Sequence, residues 1–267
     1  MIKSVLTIAG SDSSGGAGIQ ADLKSFAANG AYGASVITAI TAQNTTGVYA
    51  VEPLNKVIVK AQLDAVFTDL NIEAVKIGMV ADKAIMNIIA EAIHTYQPSF
   101  VIIDPVMVST TGHSLLAEDQ IEALKTRLLP LATLITPNLQ EAEVLMKRKI
   151  TSFEDMQKVA KLLAEETGTN VLLKGGHFPL EQARTLKAID ILSTGIIFES
   201  DWIETGATHG TGCSLSSAIC AQLAKGKTLE DAIRISKNYV HNGILNAQQV
   251  GSGSNPIHHF HQFWKEI

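Results

Sequence analysis

The apolar segment Ser4-Val-Leu-Thr-Ile-Ala9 runs directly into Gly10-Ser-Asp-Ser-Ser-Gly-Gly-Ala-Gly18, and a helical pattern begins at Ile19. An almost wholly apolar run of this kind is typical of a strand that is covered on both faces of a parallel sheet. A strand, a glycine turn and a helix in succession form the first half of a βα unit. The segment therefore predicts an α/β fold with a glycine loop at the carboxyl end of a strand.

Apolar runs rich in β-branched residues continue to alternate with helical patterns along the chain. Further strands are predicted at residues 34–41, 74–77, 100–103, 133–136 and 171–173. Helices are predicted near residues 18–28, 56–70, 82–95, 118–128, 139–147 and 153–166, the last with a Thr151 and Glu154 capping box. Repeated βα units favour a mostly parallel central sheet flanked by helices on both faces, which is a three-layer sandwich.

The pattern changes after Lys174. Residues 188–193 and 195–202 predict two antiparallel edge strands, and helices are expected near 211–225 and 229–248. No low-complexity linker, internal repeat or block of charge marks a boundary. A single domain over residues 1–267 is therefore expected.

Composition argues against several classes of function. The chain has 46% hydrophobic and 18% charged residues and a net charge of -5, with acidic and basic residues mixed along its length. It has no stripe of Lys and Arg of the kind that neutralises nucleic-acid phosphates. No apolar run approaches the roughly 18 residues that a membrane helix needs, and residues 5–9 are too few for the apolar core of a signal peptide. Neither a nucleic acid nor a membrane is expected as a partner.

The cysteine count favours a reducing compartment. Cys213 and Cys220 are the two cysteines, and on one helix they are separated by roughly 10 Å of rise. That separation exceeds the limit of about 7 Å between the Cα atoms of a disulfide. A cytoplasmic location is expected.

The segment Ala207-Thr-His-Gly-Thr-Gly-Cys-Ser-Leu215 is the most informative for chemistry. Gly210 and Gly212 precede a helix of small and apolar residues, and a glycine-framed helix start directs backbone amides and a positive partial charge at an anion. The same position is expected to lower the pKa of Cys213 and to favour its thiolate as a base. The alternative, a tight turn with a buried cysteine, fits the spacing equally well.

The first glycine loop is a weaker signal by itself. It resembles a phosphate or dinucleotide loop, but it lacks the Lys-Ser/Thr ending of a Walker motif and the spacing of the dinucleotide fingerprint. The alternative is a mobile βα loop. Its position at the carboxyl end of a strand favours a ligand site, because open α/β sheets bind ligands there.

Polar side chains follow several other strands toward the same edge of the sheet. They are Gln43, Asp104, Asn138, Glu141 and Lys174. Asn138 and Glu141 share one helix face and suit a water-mediated hold on Mg²⁺, and Lys174 is placed to reach nucleotide phosphates. The alternatives are helix caps for Asn138 and Asp104, a solvated face for Glu141 and a surface turn for Lys174.

The C-terminal tail and two polar segments are interpreted without a direct chemical role. The histidine-rich tail at residues 256–261 fits no ligand spacing, so a docked C-terminal segment without a metal is expected. Residues 42–49 and 177–186 are polar and rich in turn formers, which predicts mobile covers for the site.

Seven motifs occur together in order along the chain. They are Ala9-Gly-Ser-Asp-Ser-Ser-Gly-Gly-Ala-Gly-Ile-Gln-Ala-Asp22, Thr41-Ala-Gln-Asn-Thr45, Lys76-Ile-Gly-Met79, Asp104-Pro-Val-Met107, Thr136-Pro-Asn-Leu-Gln-Glu-Ala-Glu143, Leu173-Lys-Gly-Gly-His177 and Thr208-His-Gly-Thr-Gly-Cys213. In this combination the chain strongly resembles the hydroxymethylpyrimidine and phosphomethylpyrimidine kinases of thiamine synthesis. The resemblance implies a ribokinase-like fold. It also implies two successive ATP- and Mg²⁺-dependent phosphorylations of 4-amino-5-hydroxymethyl-2-methylpyrimidine by a homodimer.

The resemblance also assigns roles to residues. Cys213 takes the place of the catalytic base, and Lys174 with the backbone of Gly210, Thr211 and Gly212 steadies the ATP phosphates. Gln43 reads the ring nitrogen and amino group of the pyrimidine, because an amide offers a donor and an acceptor side by side. The rest of the pocket is formed by Gly10, Ala17, Asp22, Met79 and Val106. Asp104, Asn138 and Glu141 lie near Mg²⁺, with no direct protein ligand assigned.

Three alternatives remain open at the level of the sequence. A pyridoxal or pyridoxine kinase of the same family would use a glutamine and a cysteine equally well, although the Thr208-His-Gly-Thr-Gly-Cys213 form favours the pyrimidine. A non-catalytic nucleotide or vitamin sensor with this fold is disfavoured by the combination of Asp104, Glu141, Lys174 and Cys213. A dinucleotide oxidoreductase is disfavoured because no acidic residue stands at a strand end after the first glycine loop.

Overall fold

The structure is a computed structural model, and it describes residues 2–80, 82–107, 116–176 and 187–264. The strands in these ranges are β1 (Ser4–Asp12), β2 (Tyr32–Asn44), β3 (Gly47–Pro53), β4 (Ile72–Ile77), β5 (Phe100–Ile103), β6 (Leu134–Ile135), β7 (Asn170–Lys174), β8 (Lys187–Leu192) and β9 (Ile197–Asp201). They form one sheet in the order β3-β2-β1-β4-β5-β6-β7-β8-β9.

Most of this sheet is parallel. All neighbouring pairs from β2 through β7 are parallel, whereas β3 pairs antiparallel with β2 at one edge. At the other edge β8 and β9 are antiparallel. The predicted parallel centre and the predicted antiparallel pair after Lys174 are confirmed.

Helices cover both faces of the sheet. They are α1 (Gly18–Ala28), α2 (Lys56–Asp69), α3 (Lys83–Tyr96), α4 (Glu118–Ala123), α5 (Leu139–Met146), α6 (Phe153–Thr167), α7 (Thr211–Ala224) and α8 (Leu229–Leu245). Alternate residues of β1 face opposite layers: Leu6 and Ile8 pack with α2 to α6, and Val5 packs with α1, α7 and α8. The predicted three-layer sandwich is therefore confirmed. None of the helices within the described residues combines the length and the apolarity that a membrane crossing needs.

The structure differs from the sequence-based prediction in three local details. The predicted cover at residues 42–49 belongs to the β2–β3 hairpin, and β3 was missed because it is exposed on both faces and shows no alternation. The capping interaction of α6 is shifted by one residue, with Ser152 accepting from the amide of Asp155. The helix predicted at 118–128 changes to a π-helical turn after Ala123. The other predicted cover, residues 177–186, lies outside the described residues.

The C-terminal segment is docked, as the sequence predicted. The amide of Ser254 donates to the carbonyl of Thr45 in the β2–β3 turn at 2.8 Å, and the carbonyl of Asn255 accepts from the amide of His209 at 3.2 Å. Ile257 is buried in the layer of α7 and α8. The segment therefore joins the hairpin to the loop that precedes α7.

Candidate active site

The start of α7 depends on Gly210. Its φ of 73° lies in the left-handed region, and a side chain there would collide with the carbonyl of Gly16 in the first glycine loop. No described side chain caps this helix. The amides of the first turn therefore keep the positive partial charge that suits an anion.

Cys213 is partly buried in the first turn of α7. Burial raises the pKa of its thiol to about 11, the ammonium of Lys76 opposes this rise, and the carboxylates of Asp22 and Asp104 add to it. The prediction that the helix start lowers this pKa is wrong, because desolvation outweighs the favourable charges. At neutral pH Cys213 is a neutral thiol.

Lys174 ends β7 and Asp104 directly follows β5, so their side chains meet across β6. The ammonium of Lys174 donates to Asp104 Oδ1 at 2.8 Å, and the hydroxyl of Thr136 donates to the same oxygen at 3.1 Å. Burial raises the pKa of Asp104, but the charges of Lys174 and Lys76 lower it below its ordinary value. A Cβ on Gly212 would lie 3.1 Å from Lys174 Nζ, so the ammonium stands beside the start of α7.

Asn138 and Glu141 form a capping box at the start of α5. The amide of Glu141 donates to Asn138 Oδ1 at 2.9 Å, and the amide of Asn138 donates to Glu141 Oε2 at 2.7 Å. Glu141 is only 4% exposed, so its interpretation as part of a solvated face is wrong. Burial raises its pKa to about 7, while the charge of Lys174 acts in the opposite direction. The carboxyl therefore binds a proton more readily than an exposed glutamate does.

These carboxyls fit a hydrated cation better than a directly ligated metal. Within the described ranges, no cluster of three or more His, Cys, Asp or Glu residues can hold a metal ion. When both are ionised, Asp104 and Glu141 carry two negative charges. The ammonium of Lys174 balances one of them, so one negative charge remains. Oxygen groups of this charge suit Mg²⁺, which keeps several of its own waters.

Asp12 organises the first glycine loop. Its carboxylate accepts hydrogen bonds from the amide and hydroxyl of Ser14, from the amides of Gly16 and Ala17, and from Nε2 of His209 at 2.8 Å. Burial raises the pKa of Asp12, but the hydrogen bonds from His209 and Ser14 lower it well below its ordinary range. One buried, ionised carboxylate thus fastens the whole loop.

Gln43 reaches the same loop from the end of β2. Its backbone amide donates to Ser13 Oγ at 2.9 Å, and its carbonyl accepts from that hydroxyl at 2.8 Å. The side-chain amide lies between the hydroxyl of Thr41 and the ring of His209, whose Nε2 is 3.4 Å away. The structure therefore brings Gln43 next to the loop that was predicted to share its pocket.

The other predicted pocket residues fall into two groups. Gly10 lies in β1 near its carboxyl end, and Ala17, Met79 and Val106 lie on the loops that follow β1, β4 and β5. A Cβ on Gly10 would meet the methyl group of Met79 at 2.5 Å, so these two residues are in close contact. Asp22 is different, because it is fully buried inside the layer between α1 and the sheet.

Asp22 is enclosed by donors. Lys76 Nζ donates to both of its oxygens at 2.9 Å, the hydroxyl of Thr7 donates at 2.6 Å and that of Ser217 at 2.8 Å. Lys76 and Asp22 have no exposed side-chain surface. The structure thus places Asp22 as the partner of Lys76 rather than on an open pocket wall.

Sequence patterns do not single out Asp12, His209 and Lys76, although all three lie within the quoted motifs. His209 and Asp12 are 197 residues apart, and Lys76 and Asp22 are 54 apart. Periodicity carries no information about contacts at such separations. A lysine inside an otherwise apolar strand was the one available signal, because lysine is almost never fully buried unless it is paired.

The comparisons with known proteins agree with the seven motifs. A family model described as phosphomethylpyrimidine kinase matches residues 12–258. The hydroxymethylpyrimidine/phosphomethylpyrimidine kinase of Rhizobium meliloti (strain 1021) is 47% identical over 277 residues, which cover 100% of both chains. A crystal structure of phosphomethylpyrimidine kinase from Clostridium difficile 630 has a TM-score of 0.79 at 47% identity, over 91% of this chain and 99% of that chain.

A second solved structure has a higher TM-score than the first but a lower sequence identity to this chain. The pyridoxal kinase of Bacillus subtilis, solved as an ADP complex, has a TM-score of 0.89 at 36% identity. It covers 97% of this chain and 98% of that chain. Backbone shape is therefore shared by kinases of both names and does not separate pyrimidine from pyridoxal substrates.

Proposed function

The chain belongs to the phosphomethylpyrimidine kinase family, and we propose that it phosphorylates the hydroxymethyl group of 4-amino-5-hydroxymethyl-2-methylpyrimidine with ATP. It then phosphorylates the resulting monophosphate to the diphosphate, as a step of thiamine biosynthesis. The name of the Rhizobium meliloti relative carries both activities, and the Bacillus subtilis kinase binds ADP.

One observation carries the proposal. The uncapped first turn of α7, the ammonium of Lys174 and the thiol of Cys213 lie together beside the carboxyl ends of β5 and β7. A phosphoryl group in transit needs positive charge on its oxygens and a proton acceptor near the attacking hydroxyl. The start of α7 and Lys174 supply the positive charge, and Cys213 supplies the proton acceptor once its thiol is deprotonated.

The backbone amides, Lys174 and the residues near Mg²⁺ have different roles at the ATP phosphates. The backbone of Gly210, Thr211 and Gly212 binds phosphate oxygens, and Lys174 adds a point charge. Asp104, Asn138 and Glu141 hold Mg²⁺ through water. When bound, Mg²⁺ neutralises phosphate charge.

Cys213 receives the proton of the substrate hydroxyl in this proposal. The neutral thiol of Cys213 first releases its proton to solvent. The hydroxyl oxygen then forms a bond to the γ-phosphorus, the bond from that phosphorus to the bridging oxygen of ADP breaks, and the hydroxyl proton passes to the thiolate. Burial opposes the thiolate and the ammonium of Lys76 favours it. Because a loose phosphoryl-transfer transition state needs little early proton removal, positioning and charge neutralisation supply most of the rate.

The organic substrate lies against the first glycine loop. Gln43 binds the ring nitrogen and the amino group, and Gly10, Ala17, Met79 and Val106 contact the ring. Asp22 acts indirectly by holding Lys76, whose charge reaches Cys213. One site serves both steps if the substrate shifts by the length of a phosphate.

Pyridoxal or pyridoxine phosphorylation is the second candidate. It is favoured by the TM-score of 0.89 with the Bacillus subtilis pyridoxal kinase. The higher sequence identity to the pyrimidine kinases and the motif Thr208-His-Gly-Thr-Gly-Cys213 favour the first candidate.

The proposal also covers assembly and location. We propose that residues 1–267 act as one domain, in support of which the relative from Rhizobium meliloti aligns from end to end. A homodimer in the cytoplasm is proposed, and exposed apolar side chains on β2, β3 and α2 suit an interface. They include Ile40, Tyr49 and Val57.

A direct assay tests the function. Purified protein receives ATP, Mg²⁺ and one alcohol at a time, and mass spectrometry identifies the products. The proposal expects the monophosphate and then the diphosphate of the pyrimidine, formed faster than pyridoxal phosphate. Faster turnover of pyridoxal favours the second candidate, and binding of both alcohols without turnover indicates a sensor.

The role of Cys213 has its own test. Cys213→Ala is expected to bind ATP and pyrimidine normally and to lose about 10²–10⁴-fold in kcat, the usual contribution of a general base. Cys220→Ala is the matched control, because Cys220 lies in the apolar layer of the same helix. Undiminished turnover by Cys213→Ala would remove the proposed base.

A further inference from the structure

We infer that Cys213 acts as a base only in the first of the two proposed phosphorylations, and that its uncharged thiol admits the phosphorylated acceptor in the second. The inference rests on the proposed function and deepens it, because it gives one side chain a different role in each step. Cys213 thereby allows one site to accept both an alcohol and its phosphate ester.

The two acceptors differ in the proton that they carry. The hydroxymethyl group of the pyrimidine is an alcohol, and its proton must leave during phosphoryl transfer. A phosphate monoester has a second pKa of about 6, so its attacking oxygen is already ionised in mildly alkaline solution. The first step therefore needs a proton acceptor, and the second step does not.

The second step balances without a base. An oxygen of the monophosphate forms a bond to the γ-phosphorus, and the bond from that phosphorus to the bridging oxygen of ADP breaks. ADP leaves with the electron pair of that bond. No proton is transferred, and the thiol of Cys213 keeps its hydrogen throughout.

The charged groups that act on the sulfur of Cys213 cancel in pairs. They are Lys76 on β4, Asp22 on α1, Asp104 after β5 and Lys174 at the end of β7. Lys76 is paired with Asp22 at 2.9 Å, and Lys174 is paired with Asp104 at 2.8 Å. A neutral thiol preserves this balance, whereas a charged side chain at the same position would add a negative charge without a partner.

Two helix starts lie beside this sulfur. Cys213 is in the first turn of α7, and the backbone amide of Gly18 belongs to the first residue of α1. Burial raises the pKa of the thiol, while the amide of Gly18 acts in the opposite direction. Among the described residues, no side chain caps either helix. The partial positive charges of both starts therefore suit the phosphate of the monoester.

The phosphorylated acceptor is the more demanding of the two substrates. It brings about 1.5 to 2 negative charges to the position where the γ-phosphate of ATP is also bound. Like charges at such short range repel each other strongly where little water separates them. An uncharged side chain at position 213 therefore matters more for the monophosphate than for the alcohol.

Removal of the thiol separates the two steps. Each step is assayed alone with ATP and Mg²⁺, using either the alcohol or the purified monophosphate, and mass spectrometry identifies the product. We expect Cys213→Ala to lose about 10²–10⁴-fold in kcat for the alcohol and less than about tenfold for the monophosphate. Cys220→Ala, in the apolar layer of the same helix, is the control. Equal losses in both steps would overturn the inference.

Cys213→Asp and Cys213→Asn test the need for an uncharged side chain. The two new side chains have nearly the same shape, and at about pH 9 they differ in charge. Relative to Cys213→Asn, Cys213→Asp should raise the KM for the monophosphate at least about tenfold more than the KM for the alcohol. The same ratio of the two KM values in both variants would contradict the role of the uncharged thiol.

The pH dependence of the wild-type protein gives a measurement without any substitution. Between about pH 7 and about pH 9 the rate of the first step should rise relative to the second, by at most about tenfold per unit, because the thiolate fraction grows. The charged groups that act on the sulfur are Lys76, Asp22, Asp104 and Lys174, and Glu141 acts on Lys174. Their titrations affect both steps and cancel in the ratio of the two rates. A ratio that is independent of pH would overturn the inference.

Wild-type turnover distinguishes this inference from the proposed function. If the wild-type protein does not convert the alcohol, the proposed function is wrong. If it converts both acceptors and Cys213→Ala loses both steps equally, the inference alone is wrong.

Discussion

Two lysine–aspartate pairs lie beside α7. They differ in how much charge and exposed surface remain after each pair has formed. Lys76 and Asp22 have no exposed surface, and Asp22 also accepts from two hydroxyls. Lys174 keeps 15% of its side chain exposed and faces two carboxyls, those of Asp104 and Glu141. The first pair is saturated, and the second has charge and surface available for a ligand.

The two lysines of these pairs therefore have different roles near the candidate site. Burial lowers the pKa of Lys76, but the charge of Asp22 raises it above its ordinary value, so the ammonium is permanent. It acts on Cys213 through space. Lys174, by contrast, is the lysine that we propose to contact phosphate.

Replacing Lys76 with Met should have the largest effect on stability. The substitution leaves the carboxylate of Asp22 buried without its counter-ion, and breaking a buried pair in this way costs about 3–5 kcal/mol. Urea denaturation measures the loss in the free energy of unfolding.

The matched control for this prediction is the double variant Lys76→Met with Asp22→Asn. The new amide accepts from one of the hydroxyls of Thr7 and Ser217 through its oxygen and donates to the other through its nitrogen, so the double variant should recover part of the loss. A loss below about 1 kcal/mol in Lys76→Met would contradict the saturated pair.

Replacing Lys174 with Met should act mainly on turnover. Loss of one positive group on a developing phosphate charge reduces kcat by about 10²–10³, equivalent to about 2.7–4 kcal/mol. The loss of stability should be smaller than for Lys76→Met, because Lys174 is partly exposed. Coupled detection of ADP gives kcat, with the exposed Lys161→Met on α6 as control. Full turnover combined with severe destabilisation would reverse the comparison.

Glu141 provides the smallest effect when the change is counted for each pH unit, and this effect is a dependence of stability on pH. Its pKa in the folded protein is raised from 4.5 to about 7, so the folded state binds more protons than the unfolded state in that interval. Its contribution to the free energy of unfolding is present at low pH and is lost as the pH rises to about 7, by at most about 1.4 kcal/mol per unit.

Glu141→Gln should remove this contribution, because the amide does not titrate. Urea denaturation of both proteins between about pH 5 and about pH 7 measures the difference. Identical pH profiles would show that the carboxyl does not titrate in this range.

Much of the fold was predictable from the sequence because central parallel strands must be apolar on both faces. The runs that became β1, β4, β5 and β7 carry that signal directly. The short exposed strand β3 carries none, since neither of its faces is buried.

The location of the candidate site could be predicted from the sequence, but the pKa of Cys213 could not. Strand ends and glycine loops placed Gln43, Asp104, Lys174 and Cys213 at one edge of the sheet, because carboxyl ends of parallel strands share that edge. The pKa of Cys213 was predicted in the wrong direction, since the depth of the sulfur depends on packing that no local pattern encodes.

The segment that joins Thr45 to the loop of His209 leaves little room for a change of side chain. Gly253, Ser254 and Asn255 make this connection with their backbones. A side chain at Gly253 would collide with the carbonyl of Thr45. The brace between the β2–β3 turn and the start of α7 therefore depends on a glycine at this position.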